Sequence, residues 1–217
     1  MEWLIDFADT APTFLRALWI TLQLALWSIV LAAVLGALLS LCRLSRWRVL
    51  RMLVSGYIAL IRGTPLVTQL FIIYFGLASV VTIDSFWAAV IGLTAHNAAY
   101  VAEIYRSGIQ SVPAGQVEAG RSLGMSKATT LRLVIAPQAL RTVLPALGNQ
   151  FIIAVKDTSV AAFITVAELF RAAQIVAAEK FRPLEFFVIV GVYYLAIVLL
   201  LSGAVRLMEK RVGRYGV

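Results

Sequence analysis

The chain has 217 residues, 61% of them hydrophobic, with a formal net charge of +8 and a single cysteine. No soluble globular domain is this apolar, so the composition points to a membrane protein. One cysteine excludes an internal disulfide and a cysteine metal cluster, and in a membrane chain the positive charge reports orientation and anionic lipid rather than nucleic acid.

Five uncharged runs follow in chain order: Ala17 to Cys42, Gly63 to Ile83, Ser85 to Ala102, Thr142 to Val155 and Phe186 to Val205. A spanning helix takes about 20 apolar residues, roughly 17–25. Four runs reach that length. The run from Thr142 is short unless its helix also uses residues before Arg141 or continues through Lys156 and Asp157. The expected architecture is all-α and single-domain over 1–217, with five crossings at about 13–42, 54–79, 85–107, 138–160 and 184–206. The first run does not read as a cleaved signal peptide. It is too long, follows Glu2, Asp6 and Asp9, and precedes a series of arginines.

Lys and Arg in short loops mark the inner side of a membrane. Arg43, Arg46, Arg48 and Arg51 follow the first run, and Arg206, Lys210, Arg211 and Arg214 follow the last. Arg121, Lys127, Arg132 and Arg141 stud the centre, so that segment cannot lie in hydrocarbon. With five crossings these clusters share one side, placing the N-terminus outside and the C-terminus inside. The loop around Val80 to Asp84 has no Lys or Arg, in agreement. Lys156, Arg171, Lys180 and Arg182 conflict with this orientation, although Asp157, Glu168, Glu179 and Glu185 balance their charge.

In the second crossing, Arg62-Gly63-Thr64-Pro65 interrupts the helix, because Pro65 removes a backbone hydrogen bond. Such breaks occur where backbone is buried in protein or lines a cavity. Thr68 and Gln69 follow one turn later, either facing that cavity or bonding to neighbouring helices. In the third crossing, His96, Tyr100 and Glu103 share a face, with Asn97 beside them. His96 reads as a satisfied core histidine. Asn97 is the better candidate ligand, since its amide both donates and accepts. Glu103 either faces a cavity or pairs with Arg106 three residues on. The fourth crossing ends in Lys156-Asp157-Thr158-Ser159. Asp157 suits a substrate ammonium, or else pairs with Lys156.

The central segment carries Glu118-Ala119-Gly120-Arg121-Ser122-Leu123-Gly124, closed thirteen positions later by Pro137. Gly124 can end one short helix in the left-handed conformation and Ser126 can cap the next. Two short helices result, a shape suited to docking another protein. The segment resembles the EAA coupling loop of ABC-transporter permeases, here spanning about 109–137, with Gly120 for the second Ala, Val134 for Ile and Ala136 for Leu. Glu118, Ala119, Gly124 and Pro137 hold their places as ATPase-coupling positions. The strings RGTPLVTQLFIIYFGL, NAAYVAEIYRSGIQSVP and VAELFRAAQ are similar to the polar amino-acid uptake branch of that family.

The resemblance runs from about Thr21 to Arg211. It implies a multi-pass permease of the bacterial inner membrane, with Asn97, Glu103, Asp157 and Ser159 near an amino-acid pocket and Thr68 and Gln69 as lesser members. It also implies a second permease subunit, identical or sister, two cytoplasmic ATPase subunits and an extracytoplasmic binding protein. The chain has no G-x-x-x-x-G-K-[ST] to cradle ATP, so nucleotide use falls to a partner, and no enzyme activity, cofactor or metal site is expected in it. A self-sufficient ion-coupled transporter is the competing reading, with Asp157, Glu103 and His96 as a proton relay. Such folds carry internal repeats, and none is visible here. A membrane scaffold or sensor would explain the basic loops but not the polar groups within the crossings.

Overall fold

The computed structural model describes residues 2–78 and 80–213, and among them every regular element is helical. Arg214 and the C-terminal end, expected inside, lie outside the described residues. The chain opens with α1 (Glu2–Arg43), then α2 (Arg48–Gly63) and α3 (Leu66–Ala78). The long α4 (Ser85–Gln110) precedes the short α5 (Ala114–Ser122) and α6 (Lys127–Thr130). After α7 (Ala136–Asp157) come α8 (Leu169–Lys180) and α9 (Pro183–Gly213).

Two helices, α1 and α9, are long and apolar enough to cross a membrane unaided. Two more candidates appear when a bent pair counts as one span: α2 with α3, and the 127–164 rod with α8. The α2–α3 pair turns by 112° at Thr64-Pro65. The interruption expected at Pro65 is therefore present and far larger than a kink. The rod and α8 meet at a bend of 50°. Thr165, in the left-handed conformation at φ 68°, follows the 3₁₀ turn Thr158–Ile164 there.

The centre of the molecule is α4. It is 26 residues long and packs against α1, α2, α3 and α7. Its buried positions include Ala88, Ala89, Gly92, Ala98, Ala99 and Ala102. Small residues let helix backbones approach closely where lipid supplies no hydrophobic drive between helices. Gly36 of α1 shows this against backbone, where an added Cβ would lie 2.7 Å from Val101 Cγ1 and 3.0 Å from the Ala102 nitrogen. Val54, Ile58 and Ile61 of α2 cluster with Ala99 and Ala102, while Leu70 of α3 clusters with Ala88, Ala89 and Leu93. The broken pair thus meets α4 first near its C-terminal half and then near its N-terminal half.

The central loop corrects one expectation. The first short helix forms as α5, but the second does not stop near Pro137. It begins at Lys127 and runs through a π-helical turn, Leu131–Ile135, directly into α7. The Ala136 N–H reaches back five residues to the Leu131 carbonyl. This wider turn precedes Pro137, which has no N–H of its own to place and whose ring would crowd an ordinary helical carbonyl. The helix then continues past Arg141 and through Lys156 and Asp157. Both of the extensions that could lengthen the fourth apolar run therefore occur.

Gly36→Val should lower thermal stability by about 1–3 kcal/mol, the usual cost of overpacking. Gly191→Ala, where an added Cβ meets nothing within 4 Å, should leave it unchanged. Thermal unfolding of the detergent-purified protein measures both.

Candidate functional site

The polar groups within the helices fall into two sets. One set is spent inside the fold. His96 Nδ1 lies 3.0 Å from Gln69 Oε1, and Gln69 Nε2 donates to the Ile61 and Thr64 carbonyls and to the Thr64 hydroxyl at 2.7, 3.0 and 2.8 Å. Gln69 thereby ties up carbonyls freed at the Thr64-Pro65 break. His96 is a satisfied core residue, as the sequence suggested. Asn97 is fully buried; its Nδ2 donates to the Leu93 carbonyl at 2.8 Å and its Oδ1 accepts from Gln150 Nε2 at 2.9 Å. Tyr57 donates to the Ala95 carbonyl at 2.5 Å. These bonds fasten α4 to α2, α3 and α7.

The other set lines an open cavity of about 300 Å³ between α2, α4 and α7. Arg62, Tyr100, Glu103, Ser107, Thr142 and Gln150 contribute its polar surface. The Arg62 guanidinium sits 5.7 Å from the centroid of the Tyr100 ring, a cation–π contact. Glu103 is held from two sides. Arg106 donates to its Oε2 through Nε at 2.9 Å and Nη2 at 2.8 Å, and Arg43 from the end of α1 pairs with its Oε1. Both readings of Glu103 are therefore realised at once: it faces the cavity and it pairs with Arg106.

Of the six expected substrate residues, only Glu103 lines this cavity. Asn97 stands directly behind it through Gln150. Gln69 is buried and Thr68 is exposed on α3. Asp157 is half-buried, and Ser159 donates to the Lys156 carbonyl at 2.8 Å. Asp157 follows Gln150 by seven residues on the same helix. At about 1.5 Å and 100° per residue, that places it on the cavity face of α7 roughly 10 Å further along. Ser107, Thr142 and Gln150 were not singled out beforehand, and Arg62 and Tyr100 were named only for the helix break and for the face shared with His96 and Glu103. Polarity within a crossing was the available signal for Gln150, but nothing in the sequence says which helix it faces.

Glu168 was also passed over, although it is fully buried. It caps α8 by accepting from the Phe170 and Arg171 nitrogens at 2.9 and 2.7 Å, and from the Tyr194 hydroxyl at 2.9 Å. Thr21 of α1 accepts from the Leu169 nitrogen at 3.1 Å. The start of α8 is thus anchored to α1 and α9.

The loop geometry is equally specific. Gly124 has φ +80°, with its N–H on the Arg121 carbonyl at 3.0 Å and that of Met125 on the Gly120 carbonyl at 3.1 Å. This pair of bonds closes a helix in a Schellman motif. Ser126 then caps the next helix, accepting from the Thr129 nitrogen at 3.1 Å. Gly120 is buried against Thr130, whereas Glu118, Ala119 and Pro137 are exposed.

The model of the family described as "Binding-protein-dependent transport system inner membrane component" matches residues 28–214. The chain belongs to that family. Its members are multi-pass transport components of the membrane, and this one is likewise a transport subunit rather than an enzyme. Among the relatives of this permease, the glutamine transport system permease protein GlnP of Escherichia coli is 48% identical, over 71% of this chain and 72% of that one. The arginine transport system permease protein ArtQ of Bacillus subtilis is 36% identical, over 95% and 97%. A crystal structure of an amino acid ABC transporter with histidines superposes with a TM-score of 0.91 at 38% identity, covering 95% of this chain and 97% of that one. The MetNI methionine ABC transporter, at 23% identity and a TM-score of 0.78 over 94% and 98%, shares the fold.

Glu103→Gln should lower stability by about 1.5–3 kcal/mol, the worth of hydrogen bonds to a charged group. It leaves Arg43 and Arg106 facing each other without their shared carboxylate. Adding Arg43→Gln should recover part of the loss, and a thermal-unfolding double-mutant cycle measures the coupling.

Proposed function

We propose that this chain is the membrane-spanning permease subunit of an ATP-driven importer for polar amino acids. The observation that carries the substrate class is the cavity, which presents a cation, a carboxylate, an amide and three hydroxyls on adjoining helices. That set complements a zwitterion: Arg62 suits an α-carboxylate, and a carboxylate suits an α-ammonium. Arg43 and Arg106 already neutralise much of Glu103. Asp157, two turns along the same face of α7, is then the stronger partner for the ammonium. Ser159 accompanies it, and Asn97 and Gln69 act by holding α4 and α3 in place. Relatives named for glutamine, arginine and cystine transport support the same class.

In this reading the chain crosses the membrane five times, with α2 and α3 as one broken crossing and the N-terminus outside. The elbow at Gly124 lies inside the cell and docks on a separate ATPase. Glu118, Ala119 and the exposed Leu123 offer it a mixed charged and apolar face. Closure of two ATPase subunits on ATP moves α5, and the uninterrupted rod from Lys127 through α7 carries that motion to the cavity. A second permease subunit, identical or sister, completes the pathway, and an extracytoplasmic binding protein delivers the substrate. Alternating access follows, with no covalent chemistry in this chain. A self-sufficient ion-coupled carrier would leave the elbow without a partner, and family membership speaks against it.

Uptake of labelled amino acids by the reconstituted complex tests the reading. ATP-independent uptake by this chain alone would overturn it. Gly124→Val should uncouple transport from ATP hydrolysis or block ATPase assembly. A Cβ there meets nothing within 4 Å, so the strain is purely that of a β-branched residue at positive φ. Parental transport by this variant would refute the docking role. Asp157→Asn should weaken substrate transfer on the order of ten- to a hundredfold with assembly intact. If Asp157 only pairs with Lys156, then Lys156→Met should show the same defect, and measuring transport and ATPase stimulation for both variants separates the cases.

A further inference from the structure

We propose that a groove between the ends of α1 and α4 and the start of α2 binds the phosphodiester headgroup of an anionic membrane lipid. The groove encloses about 530 Å³, and Arg43, Arg51 and Arg106 converge on it with the Ser55 hydroxyl and the Gln110 amide. One carboxylate, Glu103, serves both Arg43 and Arg106 from the far side, and among the described residues Arg51 has no acidic partner within ion-pair distance. The groove therefore holds three guanidiniums against one carboxylate. Arginine forks match phosphate oxygens, and Ser55 adds a neutral donor.

The rim decides between a lipid and a soluble anion. Leu44 and Met52 line the groove themselves, and Trp47, Val49 and Leu53 around it are 77%, 70% and 67% exposed. A water-facing anion site would leave these side chains wet. A lipid covers them with its glycerol and acyl region while its phosphate reaches the arginines. Tryptophan beside arginine at the end of a membrane helix is the composition of the headgroup level. Basic pockets between membrane helices recognise anionic lipids by this combination of charge and depth.

Native mass spectrometry of the detergent-purified importer complex tests the assignment, titrated with phosphatidylglycerol or with phosphatidylcholine of the same acyl chains. Retained phosphatidylglycerol should exceed phosphatidylcholine by about tenfold. Arg51→Gln should reduce retention about fivefold and Arg51→Glu about 25-fold, the effect of one and two charges near an anionic surface. Arg211→Glu, in the other basic cluster, should leave it unchanged. Equal retention of the two lipids, indifference to Arg51→Glu, or an equal loss in Arg211→Glu would each overturn the site. Displacement of the lipid by millimolar inorganic phosphate would overturn the lipid assignment in favour of a free-anion site.

Discussion

The fold depends on one constraint: polar groups within the membrane must find their partners inside the protein. α4 shows it most clearly. It is 26 residues long yet less apolar than α1 or α9, because it carries Thr94, His96, Asn97, Tyr100 and Glu103. An unpaired amide in hydrocarbon costs several kcal/mol, so α4 is stable only with protein against its polar positions. The surrounding helices answer residue by residue: Gln150 of α7 meets Asn97, Gln69 of α3 meets His96, and Tyr57 of α2 meets the Ala95 carbonyl. Small residues on α4 bring those helices close enough for the bonds to form. Packing and polarity therefore require each other, and the most polar helix becomes the central one.

The same constraint explains the break at Pro65. A 112° turn frees backbone carbonyls within the bundle, and the Gln69 side chain collects two of them together with the Thr64 hydroxyl. The break moves α2 away from α3 and leaves room for the cavity, with Arg62 at its edge. At the other bend, Glu168 satisfies the first nitrogens of α8 and receives the Tyr194 hydroxyl. Each departure from straight helix is matched by a side chain that takes up the freed groups.

Glu103 joins two polar regions of the fold. It forms part of the cavity wall and also anchors Arg43 and Arg106, which reach into the basic groove on the other side of the ion pair. A change of charge on one side is felt on the other across a single carboxylate. The elbow works differently. Gly124 provides a conformation rather than a contact, and the π-helical turn before Pro137 joins the elbow to α7 without a flexible joint.

Much was legible in the sequence. Composition fixed the membrane class, since no other solvent tolerates so apolar a chain. Gly124 and Ser126 announced a helix end and a helix start because both effects are local, acting through φ and one hydrogen bond. Pro65 announced a break for the same reason, and His96 was read as a core residue. What the sequence left open was every quantity that depends on a neighbour from elsewhere in the chain. Asn97 looked free until Gln150, 53 residues away, met its amide. Glu103 looked like a choice between cavity and salt bridge until Arg43 arrived from α1. Pro137 looked like a terminus until the π-helical turn made room for it. Local conformation is written in adjacent residues, whereas the identity of a polar group's partner is set only when the helices pack.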